Sequence, residues 1–406
     1  MLAVAAAPLS TYAASSSKSS KTSNSSSFEV SGWIPYWRAD AGTNDANSHL
    51  SQLTEINPFG YIVKSDGSLN DAMNVNSSTW QKLIKNAKKK GVRVVPTLMW
   101  SDTASIHAIL SDPQKRAAHI KNIVAAVEKN NFDGVDIDYE GKKAETRTYY
   151  SAFLKELSVA LAKEKTKKTL ACTIEARMPL EARFAGTPPA NIEYANDLPE
   201  INKYCDRVRI MTYDQQTADL QLNAVARAAG EIYAPVADTA WVEKVVNYMA
   251  RDIDKKKMVI GIATYGYIYQ VMPFTTGNGF DYTKIEAFNP QYAVDLAKEY
   301  NITPTRNRAG ELSFSYVPKN TPAALPSQSF LEALAPKGTA SGDLAAAGAL
   351  ALAKKQKRQA PVQYLTWSDD GAIKQKVDLA KRLGLKGVAV FKFDGGEDPD
   401  MWSVLK

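Results

Sequence analysis

Short apolar segments alternate with segments of helical periodicity from about residue 31 to the end of the chain. This alternation predicts repeated βα units, in which successive strands pair in parallel. Eight strands in such an order predict a (β/α)8 barrel, whose functional side chains lie at the carboxyl ends of the strands. The predicted strands are 31–37, 59–63, 92–100, 133–140, 169–176, 207–213, 258–265 and 387–393, with helices at 80–90, 112–129, 145–163, 241–252 and 372–383.

The connection between the seventh and eighth predicted strands is about a hundred residues long, whereas connections in compact domains are usually short. Segments 281–282, 312–316 and 363–367 have the composition of strands. The Ala-rich segment 344–358 is predicted to be helical, and the sequence assigns it no function. The sequence therefore predicts an α+β insertion over residues 271–366, within a catalytic barrel that occupies residues 29–406.

The fourth predicted strand carries a row of carboxylates in the segment DGVDIDYE, residues 133–140. Because side chains alternate along a strand, Asp136, Asp138 and Glu140 share one face. Three like charges on an apolar strand cost repulsion and desolvation. Folding does not need them, whereas a site that keeps one acid protonated at neutral pH does.

Two other interpretations of the acidic strand are a salt-bridged surface and a metal site. A half-exposed strand often alternates acidic and apolar residues. Hard cations also bind carboxylates, but usually those of a loop. The three histidines, His49, His107 and His119, are remote from this segment in the sequence, so no metal and no cofactor is expected.

The N-terminal segments have a different composition from the rest of the chain. Residues 1–14 resemble the remnant of a secretory signal peptide, with small residues for cleavage near Ala13 or Ala14, although the usual positive start is missing. A disordered apolar tail is the alternative. Residues 15–28 form a Ser/Lys-rich linker that cannot build a core. We therefore expect a secreted or cell-wall-associated protein, with no transmembrane segment after the N-terminus.

Charge and cysteine content narrow the classes of partner. The net charge of +7 is mild, and no basic stripe with stacking aromatics indicates nucleic acid. Diffuse positive charge favours an anionic surface such as a bacterial wall. Cys172 and Cys205 are the only cysteines. A disulfide between neighbouring strands is possible, but two buried free thiols are the favoured interpretation.

The spacing of Asp133, Asp136, Asp138 and Glu140 reproduces the D-x-x-D-x-D-x-E signature of glycoside hydrolase family 18, the chitinase family. The resemblance extends from about residue 31 to about residue 402. It is supported by the segment MTYD at residues 211–214, which matches the family's M-x-Y-D motif. The alternative for that segment is an ordinary buried strand end.

The resemblance implies roles for individual residues. Glu140 would be the general acid and then the base that activates water, in a reaction where the substrate's acetamido oxygen attacks. Asp138 would orient the acetamido group, and Asp136, deeper in the barrel, would share a proton with Asp138. Asp133, off the catalytic face, would be structural. Tyr213 would donate to the acetamido carbonyl, Asp214 would hydrogen-bond the sugar, and Met211 would pack beneath it.

Two departures from the family pattern bear on the substrate. The eighth strand usually ends with a tryptophan that floors the sugar subsite, and here the aligned residue is Phe391. The third strand lacks the S-x-G-G of chitinases. Both departures resemble bacterial members that act on cell-wall or spore glycan. Trp37, Trp100 and Tyr265 are candidate groove aromatics, although each alone is more typical of a core.

The sequence thus predicts a monomeric glycosidase that cleaves β-1,4 bonds next to N-acetylglucosamine, with peptidoglycan as the leading substrate. Chitin or chitooligosaccharide is the second candidate. A third, from a different class, is a sugar-binding lectin on an inactive barrel. Such lectins have usually lost the acid at the position of Glu140, which this chain retains.

Overall fold

The computed structural model describes residues 28–405. The predicted signal-peptide remnant and all but the last residue of the predicted linker lie outside that range. The strands are β1 Glu29–Pro35, β2 Glu55–Val63, β3 Leu69–Asp71, β4 Arg93–Val94, β5 Thr97–Trp100, β6 Gly134–Tyr139, β7 Thr169–Glu175, β8 Arg207–Met211, β9 Met258–Ala263, β10 Gly266–Pro273, β11 Phe280–Phe288, β12 Thr305–Arg306, β13 Leu312–Tyr316, β14 Val362–Trp367 and β15 Gly387–Phe391.

Helices fill most of the connections between these strands. They are α1 Ala39–Ser48, α2 Ser78–Lys89, α3 Thr103–Ser111, α4 Pro113–Lys129, α5 Arg147–Ala162, α6 Leu180–Arg183, α7 Leu198–Tyr204, α8 Leu220–Ala229, α9 Thr239–Met249, α10 Pro290–Glu299, α11 Gln328–Leu334, α12 Leu344–Gln356, α13 Asp370–Arg382 and α14 Met401–Val404. In the part of the chain that the structure describes, no helix has the length and apolar content of a membrane span.

The parallel strands close into a barrel in the order β1, β2, β5, β6, β7, β8, β9, β15 and back to β1. The predicted (β/α)8 architecture is therefore confirmed. Residues of the strands that face outward pack against the helices in one continuous apolar core, which includes Val135 and Ile137 of β6 and Leu154 of α5. The alternate residues of each strand face the barrel interior, where the carboxylate row of β6 lies.

The third barrel strand is split, unlike the single predicted strand 92–100. Arg93–Val94 pairs with the start of β2, and Thr97–Trp100 pairs with its end and with β6. Pro96 lies between the two pieces and has no N–H group, so it cannot continue the ladder of hydrogen bonds. The interruption still leaves Thr97 inside the barrel beside Asp136.

Between β9 and β15 the chain forms a second, antiparallel sheet, in the order β11, β10, β14, β13, β12. The helices α10, α11 and α12 accompany this sheet. Ala345, Ala349 and Ala353 of α12 are buried. Gly348 lies so close to the backbone of Leu331 in α11 that a Cβ would be 1.8 Å from its carbonyl oxygen. The small residues of the Ala-rich helix therefore allow close helix packing.

Cys172 and Cys205 form a disulfide, so the preference for free thiols was wrong. Cys172 lies on β7, and Cys205 precedes β8, its neighbour in the barrel. Their Cα atoms are 6.1 Å apart, within the range that a disulfide spans. Sequence separation alone could not reveal this proximity, because it depends on where α7 returns the chain to the sheet.

We expect the double variant Cys172→Ala/Cys205→Ala to lose about 2–4 kcal/mol of free energy of unfolding, because the bond closes a long loop in the unfolded chain. Denaturant titration of the two proteins measures the difference. Reducing agent should lower the stability of the wild type and leave that of the variant unchanged. Equal stabilities of the two oxidised proteins would contradict the prediction.

Candidate active site

The innermost carboxylate of the acidic row belongs to Asp136, which is fully buried in the barrel interior. Its Oδ2 accepts hydrogen bonds from Trp33 Nε1 at 3.1 Å and Thr97 Oγ1 at 2.8 Å. Its Oδ1 accepts from Thr173 Oγ1 at 2.8 Å and lies 2.9 Å from Arg209 Nη1. Three hydrogen bonds and one ion pair, from four strands, therefore hold this carboxylate, which satisfies the requirements of a buried anion.

Arg209 connects Asp136 to a network of charges deeper in the barrel. Its side chain is fully buried and is also ion-paired with Glu55. Arg93 lies 3.0 Å from Glu55 and 2.8 Å from Glu29, and Arg207 lies 2.8 Å from the same Glu29 oxygen. Three carboxylates thus face three guanidinium groups, and mutual compensation makes their burial tolerable.

The arrangement changes the role predicted for Asp136. A carboxylate that already accepts three hydrogen bonds and is ion-paired with Arg209 has little capacity left for a proton shared with Asp138. The structure therefore separates Asp136, a fixed anion, from Asp138 and Glu140.

Asp138 lies one step nearer the mouth of the barrel, is 5% exposed, and has one oxygen without a hydrogen-bond partner among the described residues. Burial raises the pKa of Asp138 well above its usual range, and the negative charges of Glu140 and Asp136 raise it further. The shift therefore favours the protonated form of Asp138 relative to that of an exposed aspartate.

Glu140 follows β6 at the open end of the barrel. Burial of its carboxyl raises the pKa of Glu140, the charges of Glu175 and Asp214 raise it further, and Lys142 opposes them. Lys142 itself has a buried Nζ with no hydrogen-bond partner among the described residues. Desolvation and neighbouring negative charges thus raise the pKa values of both Asp138 and Glu140 at the end of β6.

Aromatic rings surround the barrel mouth around Phe391, the last residue of β15. Its ring lies 5.6 Å from that of Tyr213 in a stacked arrangement, and edge-on to Trp33, Phe59 and Tyr265 at 5.8 to 6.3 Å. Phe391 thus lies beside Tyr213 at the mouth of the barrel, and its contact with a sugar face stays a prediction.

Tyr213 reaches this position because Gly261 on β9 has no side chain. A Cβ on Gly261 would be 2.6 Å from a ring carbon of Tyr213. Met211 ends β8 opposite Glu175 of β7. Both Tyr213 and Met211 line the same cavity as Glu140, so the structure brings the MTYD segment and the acidic strand together.

Asp214 also lines this cavity, with a backbone φ of 58° that turns the chain out of β8. Its Oδ1 accepts hydrogen bonds from Tyr265 Oη at 2.5 Å and Tyr267 Oη at 2.6 Å. Tyr265 is therefore a support for Asp214, 7% exposed, rather than an open groove aromatic. Tyr267 begins the insertion and was not singled out in the sequence.

The structure corrects the prediction for Trp100 and places Trp37 at the rim. Trp100 is 4% exposed, faces the helices, and packs edge-on against Tyr139 and His119. Strand parity explains this, because Thr97 and Met99 face inward and Trp100 outward. Trp37 is 51% exposed and packs edge-on against Phe59. Asp133 accepts a hydrogen bond from the backbone of Val94 at 2.8 Å, away from the mouth.

Several residues of the site were not predicted from the sequence. Trp33, Thr97, Thr173 and Arg209 bind Asp136, and Glu175 lies beside Glu140 at the end of the neighbouring strand. Polar residues at the inward parity of otherwise apolar strands were the available signal. The complete set that lines the cavity of about 520 Å³ is Glu140, Lys142, Glu175, Ala176, Arg177, Met178, Arg183, Tyr194, Ala195, Asn196, Met211, Tyr213, Asp214, Gln215, Ala218 and Trp241.

A barrel with this acidic strand, floored by an aromatic ring, is the architecture of a glycoside hydrolase. The model of the glycosyl hydrolases family 18 matches residues 32–396, so the chain belongs to that family and is a glycoside hydrolase. The family resemblance noted in the sequence is thereby confirmed.

Individual relatives are distant. An uncharacterized glycosylase, YvbX, of Bacillus subtilis is 22% identical over 300 residues, which cover 73% of this chain and 67% of that protein. The spore cortex-lytic enzyme SleL of Bacillus cereus is similar in structure, with a TM-score of 0.66 at 19% identity over 93% of this chain and 73% of that one. A class V chitinase from Pseudomonas fluorescens Pf-5 also has a TM-score of 0.66 at 19% identity, over 93% of this chain and 98% of that one. At such identities the structures establish the fold alone.

We expect Arg209→Met to lower the free energy of unfolding by about 3–5 kcal/mol, because it leaves the buried carboxylates of Asp136 and Glu55 without their shared cation. Arg382→Met is the matched control. It breaks the exposed pair of Arg382 with Glu243, which should cost less than about 1 kcal/mol. Denaturant titration of both variants provides the comparison, and similar losses would refute the compensating role of Arg209.

Proposed function

We propose that the protein hydrolyses β-1,4 bonds next to N-acetylglucosamine in bacterial cell-wall or spore peptidoglycan, with retention of configuration and participation of the substrate's acetamido group. The observation that carries this proposal is the pair of acids Asp138 and Glu140, whose pKa values are raised at the mouth of a family 18 barrel. Catalysis of this bond needs an acid that still holds its proton near neutral pH.

In the first step, the Glu140 carboxyl donates its proton to the glycosidic oxygen as the bond from that oxygen to the anomeric carbon breaks. The acetamido carbonyl oxygen forms a new bond to the anomeric carbon, which gives an oxazolinium ion. The leaving sugar departs with a hydroxyl group. Tyr213, stacked on Phe391, would donate its hydroxyl to the acetamido oxygen and hold it for attack.

Asp138 would accept the acetamido N–H and stabilise the positive charge of the intermediate. Asp138 accepts this hydrogen bond when it is ionised, so a proton that it carries in the empty site must first pass to an ionised Glu140 or to water, because Asp136 already accepts three hydrogen bonds and is paired with Arg209. In this mechanism, the proton that is transferred to the glycosidic oxygen is held by Asp138 or Glu140 and not by Asp136. In the second step, the Glu140 carboxylate takes a proton from water, whose oxygen attacks the anomeric carbon and restores the acetamide.

The substrate is supported by similarity and by the floor of the site. Two of the similar proteins are named as a glycosylase of Bacillus subtilis and a spore cortex-lytic enzyme. Phe391 takes the place of the tryptophan of dedicated chitinases. Chitin remains the second candidate, which the likeness to a class V chitinase favours. A lectin function is disfavoured because Glu140 is present at the end of its strand.

Secretion or attachment to the cell wall is part of the proposal. A disulfide persists in oxidising compartments outside the cytoplasm. The composition of residues 1–14, with its small residues near Ala14, is the second argument. Both agree with a substrate that lies outside the membrane.

We expect the wild type to release reducing ends from purified peptidoglycan faster than from chitin, with N-acetylglucosamine at the new reducing end. Mass spectrometry of the products identifies that sugar. Glu140→Gln should lower the rate by about 10²–10⁴-fold or more, because an amide cannot donate the proton. The control Glu299→Gln alters a surface ion pair and should keep wild-type rates. Retention of more than about a tenth of the activity by Glu140→Gln would remove Glu140 from the role of acid.

We expect a thiazoline analogue of N-acetylglucosamine to inhibit the enzyme competitively at concentrations at least about 100-fold below those of a comparable monosaccharide, because it resembles the oxazolinium intermediate. Asp138→Asn should weaken this inhibition, since a neutral amide stabilises the positive charge poorly. Inhibition constants for both proteins test the mechanism. Turnover of substrate without any inhibition would be incompatible with acetamido participation.

A further inference from the structure

The cavity beside Glu140 extends along the carboxyl ends of β6, β7 and β8, and Trp241 of α9 closes one side. Phe391 belongs to β15, across the barrel from β6, and is not among the described residues that line this cavity. If the sugar that is attacked stacks on Phe391, Glu140 lies between it and the leaving sugar. The cavity of about 520 Å³ then has two parts. Met211, Tyr213 and Asp214 line the part that would hold the acetamido side of the attacked sugar, and Arg177, Arg183 and Tyr194 line the part that would receive the leaving sugar.

The wall of this cavity contains two cationic side chains that are partly or wholly buried without an ion pair among the described residues. They are Lys142 and Arg177, and burial lowers the pKa of each. A buried cation without a counter-ion is costly, so structures normally supply one. When such a cation lines an open cavity, we expect the ligand to carry the negative charge that pairs with it.

Lys142 is directed toward the catalytic acids. The negative charges that act on it are those of Glu175, Asp138 and Glu140, and its ammonium group also lies 4.7 Å from the centre of the Tyr150 ring. Glu175 contributes the largest of these charges, so Lys142 has negative charge nearby within the protein, and Lys142 opposes the rise in the pKa of Glu140.

Arg177 is in a different position. Its guanidinium lies 3.7 Å from the centre of the Tyr194 ring, and Nη2 donates to the backbone oxygen of Asn196 at 2.9 Å. The carboxylate of Glu175 accepts instead from Asn196 Nδ2 at 2.6 Å. The group is thus held in one plane by stacking and a single hydrogen bond, and it keeps N–H donors for a ligand.

A second arginine reaches the same cavity from α6. Arg183 is exposed at the rim and forms no ion pair within the described range of the chain. Together Arg177 and Arg183 give this wall two guanidinium groups whose preferred partners are carboxylates, which they bind through paired hydrogen bonds.

We propose that Arg177, with Arg183 at the rim, binds a carboxylate carried by the leaving sugar. The ligand class is an amino sugar that bears a lactyl ether carboxylate, or an acidic peptide attached through that group. This inference rests on the proposed function and specifies the substrate of the same site. Chitin has no carboxylate, so the two arginines would favour an acidic glycan over a neutral one of equal length.

The experiment compares tetrasaccharides that differ only in charge. The substrates are the neutral N-acetylglucosamine tetramer, the tetramer with lactyl ethers on alternate sugars, its methyl ester, and its derivative with an acidic dipeptide amide-linked to the lactyl groups. The measured quantity is the ratio of kcat/KM for each acidic substrate to that for the neutral one. Arg177→Gln should lower this ratio roughly 10- to 100-fold, the size of a lost charged hydrogen bond.

Arg177→Lys should restore part of the ratio, because a cation remains at the site. The matched control is Arg227→Gln, which removes another arginine that lies over an aromatic ring, that of Phe274, outside the cavity, and should leave the ratio unchanged. The methyl ester should behave as the neutral tetramer does. A loss with the free lactyl substrate identifies the sugar carboxylate, and a loss with the dipeptide substrate alone identifies the peptide.

Equal losses on acidic and neutral substrates, or no change in the ratio, would overturn the inference while leaving the glycosidase proposal intact. If the wild type cleaves none of the four substrates, the proposed function fails. The carboxylate site then stands or falls on calorimetric binding of the same compounds to Glu140→Gln, with and without Arg177→Gln. Preferential binding of the acidic compounds that depends on Arg177 supports the site, and indifference to charge overturns it.

Discussion

The compensation of Asp136 by Arg209 is the interaction on which the catalytic face depends. An uncompensated carboxylate inside a barrel would take up a proton or unfold its surroundings. Here the guanidinium and three neutral donors fix the anion, and its negative charge in turn contributes to the raised pKa of Asp138. The ion pairs deep in the barrel thus hold a fixed negative charge next to Asp138, and in the proposed mechanism the two outer acids exchange a proton with the substrate.

This division of labour differs from what the acidic row alone suggests. The motif spacing established which carboxylates share a face, but the sequence of three acidic side chains does not reveal which of them is paired with a cation. The cation that pairs with Asp136 is Arg209, which occupies an inward position on β8 about seventy residues further along the chain. The alternation of side chains along β8 predicts that this arginine faces inward. Its pairing with Asp136 cannot be predicted from the sequence, because it depends on how the barrel closes.

The fold itself was predictable because the βα alternation and the strand lengths determine the class of architecture. The errors arose where local pattern and tertiary position disagree. Trp100 is an aromatic residue of the kind that lines sugar-binding grooves, but its parity on β5 makes it face the helices, where it is buried. The proximity of Cys172 and Cys205 depends on the path of α7, which no local signal specifies. Glu175 and Arg177 could not be predicted because they lie at and after the end of β7, whereas the family motifs lie on β6 and at the end of β8.

Trp33 joins two parts of the site that are usually considered separately. Its indole N–H donates to Asp136 while its ring packs edge-on against Phe391, so Phe391 and the innermost carboxylate of the acidic row are mechanically connected. A larger ring at position 391 would press on the indole and disturb the hydrogen bond beneath it. Substitutions at positions 33 and 391 should therefore be coupled during divergence, so that a change of substrate preference at the floor is paired with a compensating change on the first strand.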